Sequence, residues 1–535
     1  MIIPDGPSGA LEMGECPASY NGASGELCRR GNISFLTTLD DGLTRTGAVW
    51  RGAGCTTIDD IPENILLDIF DFYRIFPNFP QNVYSVWEWH VLAQVCRKWR
   101  QVLFTSPRRL DLQLHCTPNT PVRKLLDVWP PLPITIEKAP YIHLHSEADE
   151  DNLVAALEHR DRVTVITISG LTCRQLESVA AMMQEPFPAL TRLHLGSMDG
   201  ASLPDIFMGG SAPRLQRLDL VGISFPTLPR LVLSPTDLTA LNLHAIPRAG
   251  YISPVEMVAY LSPLTMLSEL VIEFESPHPP PDPSSRRVIP STRALLPALL
   301  YFRFKGVVEY LEDVVSQIDA PVLFDLEATI FNQLTFAIPR LSQFINRTER
   351  LKSLNQAELS FDSRFVEIKF RHDNSLSLLL HIPCSPSDWQ LSSVIQLCGP
   401  PLPLPSSVER LDICEGTTSP QKWQYDTDHE PWLEILIRFT SLRELYVSHT
   451  MWPLLAPALK HHTGEGTLNL LPMLCDVFLE KLEPSEPLPE AIGRFVAARK
   501  LTDHPVVVHR KEGETRTWKA VDLDNIPPSR VEIDA

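Results

Sequence analysis

A short apolar motif, L-x-x-L-x-L, recurs along most of this chain and constrains its fold more than any other feature. Copies stand in "PALTRLHL", "PRLQRLDL", "TDLTALNL", "MLSELVI", "PALLYFRF", "PVLFDLEA" and "PMLCDVFL". The middle apolar positions 166, 193, 218, 241, 270, 302 and 326 are separated by 27, 25, 23, 29, 32 and 24 residues. A period of about 20–29 residues is typical of arrays in which each unit covers the core of its neighbour.

Each motif predicts a short strand at its L-x-L end. Successive side chains of a strand point to opposite faces, so the two apolar residues share one face, and the earlier leucine packs beneath them. A proline often precedes the strand, where no backbone donor is needed. We therefore predict an α/β fold with an irregular, horseshoe-like solenoid of leucine-rich repeats over residues 116–502. The alternative is a set of unrelated strands in another α/β domain.

Two features predict that the repeats are irregular. The asparagine or cysteine that usually follows the strand is replaced by Met198, Ile223 and Ile246. Between residues 340 and 405 the motif weakens, and "FVEIKFRHDNSLSLLLHIP" alternates on both sides of a turn sequence, which predicts a β-hairpin.

Composition narrows the choice of partners and compartment. The 65 acidic and 47 basic residues give a net charge of −18, which argues against nucleic acid as the main partner. No apolar run approaches the roughly 18 residues of a membrane span. The 10 cysteines include no CxxC pair, and no secretory signal is visible, so we expect reduced thiols and a cytoplasmic or nuclear protein.

The common signatures of enzymes are missing. The chain contains no GxxxxGK[ST], GxGxxG, HExxH or GxSxG sequence. We interpret the pair His461-His462 as solvated or capping histidines and not as metal ligands. We therefore expect a protein that is not an enzyme, with no catalytic residue, no metal and no cofactor.

Two fragments near the start predict short helices with apolar residues on more than one side. They are "IPENILLDIF" at 61–70 and "VCRKWRQVLF" at 95–104. One apolar stripe is enough to pack the helices together, so the second must meet the repeats or another protein. Residues 1–55, rich in glycine, serine and threonine, are expected to be disordered, and residues 503–535 to form a polar C-terminal tail.

Residues 56–115 resemble an F-box domain. The pairs Ile61-Pro62, Ile65-Leu66 and Ile69-Phe70, followed by Val95-Cys96 and Trp99, match the order of the F-box pattern. The sequence departs from that pattern at Asn64, near an expected acid, and in a long link between the helices. An F-box followed by degenerate leucine-rich repeats resembles the large F-box families of mushroom-forming (basidiomycete) fungi.

This resemblance implies a substrate-recognition subunit of an SCF-type cullin–RING E3 ubiquitin ligase. The F-box would bind the Skp-family adaptor, and through it a cullin, while the repeats hold a target protein for ubiquitin-dependent degradation. The residues implied for adaptor binding are Ile61, Pro62, Ile65, Leu66, Ile69, Phe70, Val95, Cys96 and Trp99. For Leu66, Ile69, Phe70, Val95 and Trp99, an internal core position is an equal alternative. Pro62 is the strongest single candidate, because packing explains an exposed proline at the start of a helix less easily.

The target would meet polar residues that stand between the paired apolar positions of the strands. These candidates are His194, Asp219, Asn242, Arg303, Asp412 and Tyr446. Their chemistry is mixed, so the sequence does not identify the target protein. Two alternatives remain open: a leucine-rich-repeat scaffold unconnected with ubiquitin ligation, whose first helices only close the solenoid, and an unrecognised hydrolase.

Overall fold

The computed structural model describes the chain from residue 61 onward, with gaps. The described residues are 61–75, 89–138, 147–226, 228–235, 237–277, 293–331, 335–372, 375–385, 387–399, 402, 404–416, 430–461, 470–480, 490–501, 504–512 and 517–520. The predicted disordered segment 1–55 lies outside them. The chain divides into two compact units, Met1–Ile69 and Phe70–Ala535, so the division does not coincide with the predicted domain limits at residues 55 and 115.

Short helices and strands alternate along the described residues. The helices are α1 (Glu63–Ile75), α2 (Trp89–Val95), α3 (Arg97–Thr105), α4 (Val122–Val128), α5 (Glu147–Leu157), α6 (Cys173–Met182), α7 (Leu228–Val232), α8 (Pro254–Leu261), α9 (Val308–Gln317), α10 (Pro339–Arg347), α11 (Glu349–Lys352), α12 (Ser387–Leu397), α13 (Leu404–Ser407), α14 (Glu430–Leu436), α15 (Trp452–His461) and α16 (Glu490–Leu501). The strands are β1 (Leu114–Cys116), β2 (Ile134–Lys138), β3 (Val163–Leu171), β4 (Arg192–Ser202), β5 (Arg217–Ser224), β6 (Ala240–Ile246), β7 (Glu269–Phe274), β8 (Ala294–Leu295), β9 (Tyr301–Gly306), β10 (Ile318–Asp319), β11 (Asp325–Ile330), β12 (Gln356–Asp362), β13 (Phe365–His372), β14 (Ser375–Pro383), β15 (Arg410–Glu415), β16 (Glu444–Val447), β17 (Asp476–Leu479), β18 (Val507–Glu512) and β19 (Thr517–Ala520).

Among the described residues, 17 strands form one long sheet. Its order is β1-β2-β3-β4-β5-β6-β7-β9-β11-β14-β13-β12-β15-β16-β17-β18-β19. In this order, every neighbouring pair from β1 to β14 is parallel, and so is every pair from β12 to β18. Between these two runs, β13 is antiparallel to both β14 and β12. Parallel neighbours need a crossover between them, and the short helices supply it at most steps. The predicted α/β class is confirmed, and the sheet is mainly parallel.

The repeated apolar residues stand side by side in the sheet. The register aligns Leu193, Leu218, Leu241, Leu270, Phe302 and Leu326 across six neighbouring strands. All six side chains are fully buried. Each buried side chain of this kind contributes roughly 1.5–3 kcal/mol to folding, so the row is a continuous core that no single unit could build.

The predicted β-hairpin is confirmed, and it interrupts the order of the strands. β13 pairs antiparallel with both β12 and β14. β14, and not β12, lies beside β11, while β12 lies beside β15. Because β12 and β14 are each parallel to their outer neighbours, the hairpin adds two strands without reversing the direction of the sheet.

Four neighbouring strands, β3 to β6, each have a residue with a positive φ angle near their end, where the asparagine of the standard repeat is missing. Gly170, Gly200, Gly222 and Ala245 have φ angles of 65°, 69°, 66° and 49°. The residues that follow them, Leu171, Ala201, Ile223 and Ile246, are 0–6% exposed. The left-handed residue turns the chain so that the next apolar side chain enters the core. Positive φ is easy for glycine and costly for alanine.

Hydroxyl groups of residues just before β4, β6 and β7 form hydrogen bonds to backbone carbonyls at or just before the start of the neighbouring strand. The Thr191 hydroxyl donates to the Thr164 carbonyl at 2.9 Å, and the Thr239 hydroxyl donates to the Gln216 carbonyl at 2.9 Å. The Ser268 hydroxyl donates to the Thr239 carbonyl at 3.0 Å. Each hydrogen bond of this kind contributes about 1 kcal/mol to stability. The bonds recur along the side of the sheet where the parallel strands begin.

Two helices begin with side chains that satisfy free backbone amides. Thr172 and Ser253 each form a reciprocal capping box at the start of α6 and α8. Among the described helices, α1 is the longest, at 13 residues. No helix in the described ranges combines the length and apolar character needed to cross a membrane.

The sheet continues past residue 502, where the sequence analysis ended the repeats. β18 pairs parallel with β17, and β19 pairs antiparallel with β18. Val508 is fully buried, as expected of a strand that covers core. Residues 507–512 and 517–520 therefore belong to the sheet and not to a polar tail.

Candidate functional site

α1 has one buried and one exposed apolar side. Leu66 is fully buried, whereas Ile65 and Ile69 are 44% and 41% exposed. Residues four apart share one face of a helix, so the two isoleucines form an exposed apolar ridge. Pro62 stands just before the helix, and its carbonyl accepts the Leu66 amide at 3.1 Å. Phe72, one turn further along the helix, is also exposed.

α2 and α3 meet at a cysteine. The Cys96 sulfur accepts the Trp99 amide at 3.5 Å and so caps α3. The Trp99 ring and the buried Phe70 ring form a T-shaped pair, with centroids 4.9 Å apart and planes at 63°. On α2, Val91 and Val95 form a second exposed pair four residues apart. Cys96, Trp99 and Phe70 therefore build the helical segment, and Val95 is available at its surface.

The nine predicted adaptor-binding residues differ in how far their side chains are exposed to solvent. Pro62, Ile65, Ile69 and Val95 are exposed, Ile61, Cys96 and Trp99 are half-buried, and Leu66 and Phe70 are buried. A buried residue can shape an interface only through the residues that it supports. Adaptor binding by any of the nine stays a prediction.

The predicted target-binding residues lie in one row across the sheet, which we call the central row. In register it contains Glu137, Thr167, His194, Asp219, Asn242, Val271, Arg303 and Glu327, followed by Leu379, Lys369, Glu358, Asp412, Tyr446, Phe478 and His509. Neighbouring strands are about 4.8 Å apart, so adjacent members of the row are in contact range. All six predicted residues belong to it, and target binding stays a prediction.

Asn242 and Asp219 belong to a buried polar network that is closed except at Asn242 Oδ1, for which the described residues provide no hydrogen-bond donor. Asn242 Nδ2 donates to Asp219 Oδ1 at 2.6 Å and to Glu269 Oε1 at 2.8 Å. Arg217 binds both carboxylates, at 2.9 Å to Asp219 and 2.8 Å to Glu269. Burial would lower the pKa of Arg217, but these two acids outweigh it and raise that pKa. Asn242 is 1% and Asp219 9% exposed, so little of either remains for a partner.

A second network surrounds Arg303. Its Nε lies 2.9 Å from Glu273 Oε1 and 3.6 Å from Glu327 Oε2. His244 Nδ1 lies 2.9 Å from the other oxygen of Glu273. Burial alone would raise the pKa of Glu273, yet His244 and Arg303 lower it. Arg303 itself is exposed, so it can meet a partner without leaving its acids.

The hairpin carries a third network. Lys369 Nζ lies 2.7 Å from Glu367 and 3.0 Å from Glu358, and Arg371 lies 2.8 Å from Glu358. His381 Nδ1 lies 3.1 Å from Glu367 Oε1. The hydrogen bond with His381, together with Lys369, lowers the pKa of Glu367 to about 2. Basic side chains of the same sheet therefore balance the negative charges of Glu358 and Glu367.

His194 and Asp412 are the two remaining polar candidates. His194 Nε2 lies 2.7 Å from the Ser169 hydroxyl, and burial lowers the pKa of His194. Arg410 lies 3.4 Å from Asp412 Oδ2, and burial raises the pKa of Asp412 despite that arginine. Across the described ranges, no three acid, histidine or cysteine side chains gather in a way that could hold a metal ion.

Aromatic rings occupy the last strands of the central row, where His509 Nε2 also lies 2.7 Å from Asp476 Oδ1. Tyr446 and Phe478 stack with centroids 4.2 Å apart, and Phe478 and His509 stack at 4.5 Å. Trp518 crosses Phe478 at 5.1 Å and Tyr446 at 5.7 Å, with its ring nearly perpendicular to theirs. Burial, with Arg410 opposing it, raises the pKa of Tyr446 to about 12.

Sequence reasoning named Tyr446 in this group and missed Phe478, His509 and Trp518. Phe478 stands between Val477 and Leu479 in a repeat motif, so the rule that selected Tyr446 would have selected it too. His509 and Trp518 lie beyond residue 502, in strands that the sequence analysis did not predict.

Comparison with known proteins does not assign a family. No protein-family model matches the chain. A search of curated proteins also finds no match. A function must therefore be argued from the residues themselves.

Proposed function

We propose that this chain is the substrate-recognition subunit of an SCF-type cullin–RING E3 ubiquitin ligase. The exposed ridge of Ile65 and Ile69 on α1 carries the proposal. Large apolar side chains in a row on the surface of a helix mark a protein-binding surface. They stand in the segment that resembles an F-box, and α2 presents the similar pair Val91 and Val95.

We infer that the strands and helices after the F-box form an irregular leucine-rich-repeat solenoid that holds the target. The aligned buried leucines, the hydroxyl links between units and the crossover helices support this inference. A one-dimensional array offers a long face on which each unit contributes one side chain of the central row. The target would bind there.

In the proposed mechanism, this chain brings the target close to the conjugating enzyme and catalyses no reaction itself. The F-box segment would bind a Skp-family adaptor and the sheet a target protein, so target lysines would stand near the charged conjugating enzyme at a high effective concentration. Such a subunit needs no catalytic residue, metal or cofactor. It would act in the cytoplasm or nucleus, where the ligase works.

Adaptor binding by the full chain tests this proposal. The double variant Ile65→Asp with Ile69→Asp places two charges on the exposed ridge and leaves the buried side of α1 unchanged. Each isoleucine buried against an adaptor would contribute roughly 1.5–3 kcal/mol, and an unpaired buried charge costs more, so we expect adaptor affinity to fall at least about 100-fold. Surface plasmon resonance with purified Skp-family adaptor measures the change.

The matched control is Met198→Asp with Met266→Asp, which adds the same charge at two methionines that are 61% and 53% exposed. This control should bind adaptor like the unchanged chain. Failure of the folded, unchanged chain to bind adaptor would refute the proposal and leave the scaffold alternative. Equal binding by the ridge variant would refute the assignment of the contact surface.

A further inference from the structure

The segment that contains α2 and α3 is basic, although the chain as a whole is acidic. Residues 89–110 contain five basic residues and no acidic one, whereas the whole chain has a net charge of −18. Arg97, Arg100, Arg108 and Arg109 are exposed, and we call these four side chains the basic patch. An acidic chain repels an acidic partner over most of its surface, so the basic patch is a place where such a partner is attracted.

The bases at the start of α3 oppose the helix dipole. α3 begins at Arg97, and its first four residues also include Lys98 and Arg100 but no acid. The N-terminal end of a helix carries a partial positive charge, so acids stabilise it and bases destabilise it. Arg97 and Arg100, three residues apart on the helix, also repel each other. The stability of α3 therefore does not explain the position of Arg97.

Arg100 places its charge beside α2. Its Nε donates to the carbonyl of Ala93 at 2.9 Å, in the last turn of α2, where the dipole favours a base. Ala93 stands between Val91 and Val95, which are 56% and 48% exposed. Arg100 forms no ion pair within the described residues, so its charge remains available near the two exposed valines.

Arg97 is close to the same valines. Only Cys96 separates it from Val95, and consecutive Cα atoms are about 3.8 Å apart, so the two Cα atoms lie within roughly 8 Å of each other. Both side chains are exposed. In the part of the chain that the structure describes, the Arg97 side chain forms no ion pair. A protein that covers Val95 would therefore also meet Arg97.

The other two members of the basic patch follow the end of α3. Arg109 Nε lies 3.7 Å from Asp71 Oδ2, and 44% and 30% of these two side chains are exposed. An exposed pair of this kind contributes little to stability, so a partner can displace it. Arg108 is exposed and has no ion pair among the described residues.

We propose that the basic patch binds an acidic segment of the protein that covers Val91 and Val95, which in the proposed ligase is the Skp-family adaptor. The valines supply apolar contact area. The arginines orient the partner and speed its association, and a guanidinium can bind a carboxylate through two parallel hydrogen bonds. This inference rests on the proposed function, because it states the chemistry by which the adaptor is chosen.

Surface plasmon resonance of the full chain with purified Skp-family adaptor tests the proposal. The patch variant, Arg97→Glu with Arg108→Glu, replaces attraction by repulsion at two exposed positions. One exposed ion pair changes affinity by roughly 1.4- to 5-fold, so two reversals should lower affinity at least about 4-fold at about 0.15 M salt, mainly through slower association. The difference from the unchanged chain should shrink at about 1 M salt, where charges are screened beyond about 3 Å.

The matched control is Arg214→Glu with Arg443→Glu. It makes the same change in net charge at two exposed arginines that stand ahead of β5 and β16. At about 0.15 M salt, screening acts beyond about 8 Å, so the control should bind adaptor like the unchanged chain. An equal loss in the control would overturn the proposal, because it would show a general effect of net charge.

The stability of α3 separates binding from a structural role. Glutamate at the first position of a helix complements the dipole, so Arg97→Glu should leave unchanged or raise the protection of the α3 amides from hydrogen exchange. Weaker protection together with weaker binding would show a structural role and refute the patch. If the patch variant does not fold, Arg97→Gln and Arg108→Gln are measured separately, and unchanged adaptor affinity in both would refute it.

The same measurements keep this proposal apart from the proposed function. Adaptor binding by the unchanged chain, with equal affinity in the patch variant, would refute the basic patch and leave the ligase proposal standing. No adaptor binding by the folded, unchanged chain would refute both.

Discussion

Replacing Asn242 with aspartate tests whether the central row is a closed network. Asn242 is 1% exposed and donates one hydrogen bond each to the carboxylates of Asp219 and Glu269, at 2.6 and 2.8 Å. Aspartate has the same shape but no N–H group. Asn242→Asp therefore removes two donors and adds a third carboxylate beside two that already share Arg217.

The expected loss is large and depends on pH. Removing the partner of a buried charge costs about 3–5 kcal/mol, and this figure includes the lost hydrogen bonds, so we expect the local stability of β6 to fall by that amount near pH 8. Burial and the neighbouring acids raise the pKa of the introduced carboxyl above its unfolded value of about 3.9. A raised folded pKa gives stability that is present below about pH 4 and is lost as pH rises through the folded value.

Native-state hydrogen exchange of the amides in Ala240–Ile246 measures this local stability, because a chain of this length need not unfold in one step. Protection in the variant should be weaker at pH 8 than at pH 5 after correction for intrinsic exchange, while the unchanged chain shows no such slope. Asn64→Asp, at an exposed position in the first turn of α1, makes the same charge change and should leave β6 unaffected. Unaltered protection of β6 at pH 8 in the Asn242 variant would refute the closed network.

Three smaller changes test other parts of the sheet. Gly222→Ala places a Cβ 2.6 Å from the Ser197 carbonyl oxygen at a φ of 66°, so the melting temperature should fall by a few degrees, whereas Ala245→Gly, at the equivalent bend, should leave it unchanged or raise it. Glu367→Gln should cost up to about 3 kcal/mol at pH 7 and progressively less as pH falls from about 4.5 toward 2, since the lowered pKa of Glu367 gives stability that acid removes; urea unfolding at several pH values measures it. Thr191→Val should cost about 1 kcal/mol in the same urea assay, because it removes one hydroxyl link between units; no loss would show that the link contributes nothing.

The strands were predictable because their signal is local. Whether Leu218 and Leu220 face the core depends on alternation within a few residues, and the repeat spacing then places Leu218 beside Leu241. The hairpin at 365–383 was predictable for the same reason. The strand at Val507–Glu512 was missed because its apolar run is only three valines among polar residues, and its burial comes from β17.

The pairing of side chains on the central row was not predictable from spacing alone. Arg217 binds Glu269, which is 52 residues away in the chain and two strands away in the sheet. Asn242 is buried because side chains of the neighbouring strands, Asp219 and Glu269, pack against it. The residues next to it in its own strand do not indicate this burial. The stack of Tyr446, Phe478 and His509 likewise requires the register of three strands, so one tyrosine between two apolar residues could not indicate it.

The same pairing determines where on the central row a partner can bind at least cost. A partner that used Asp219 or Asn242 would have to break hydrogen bonds to charged groups, each of which contributes about 1.5–3 kcal/mol. On β16, Glu444 forms no ion pair within the described residues and accepts one hydrogen bond, from the Tyr446 hydroxyl at 3.3 Å, so a partner that used Glu444 would break less. Glu444→Gln should therefore have little effect on stability, whereas Asp219→Asn should destabilise β5. If hydrogen exchange showed that Glu444→Gln destabilised β16 as much as Asp219→Asn destabilised β5, this division of the row between structure and recognition would be wrong.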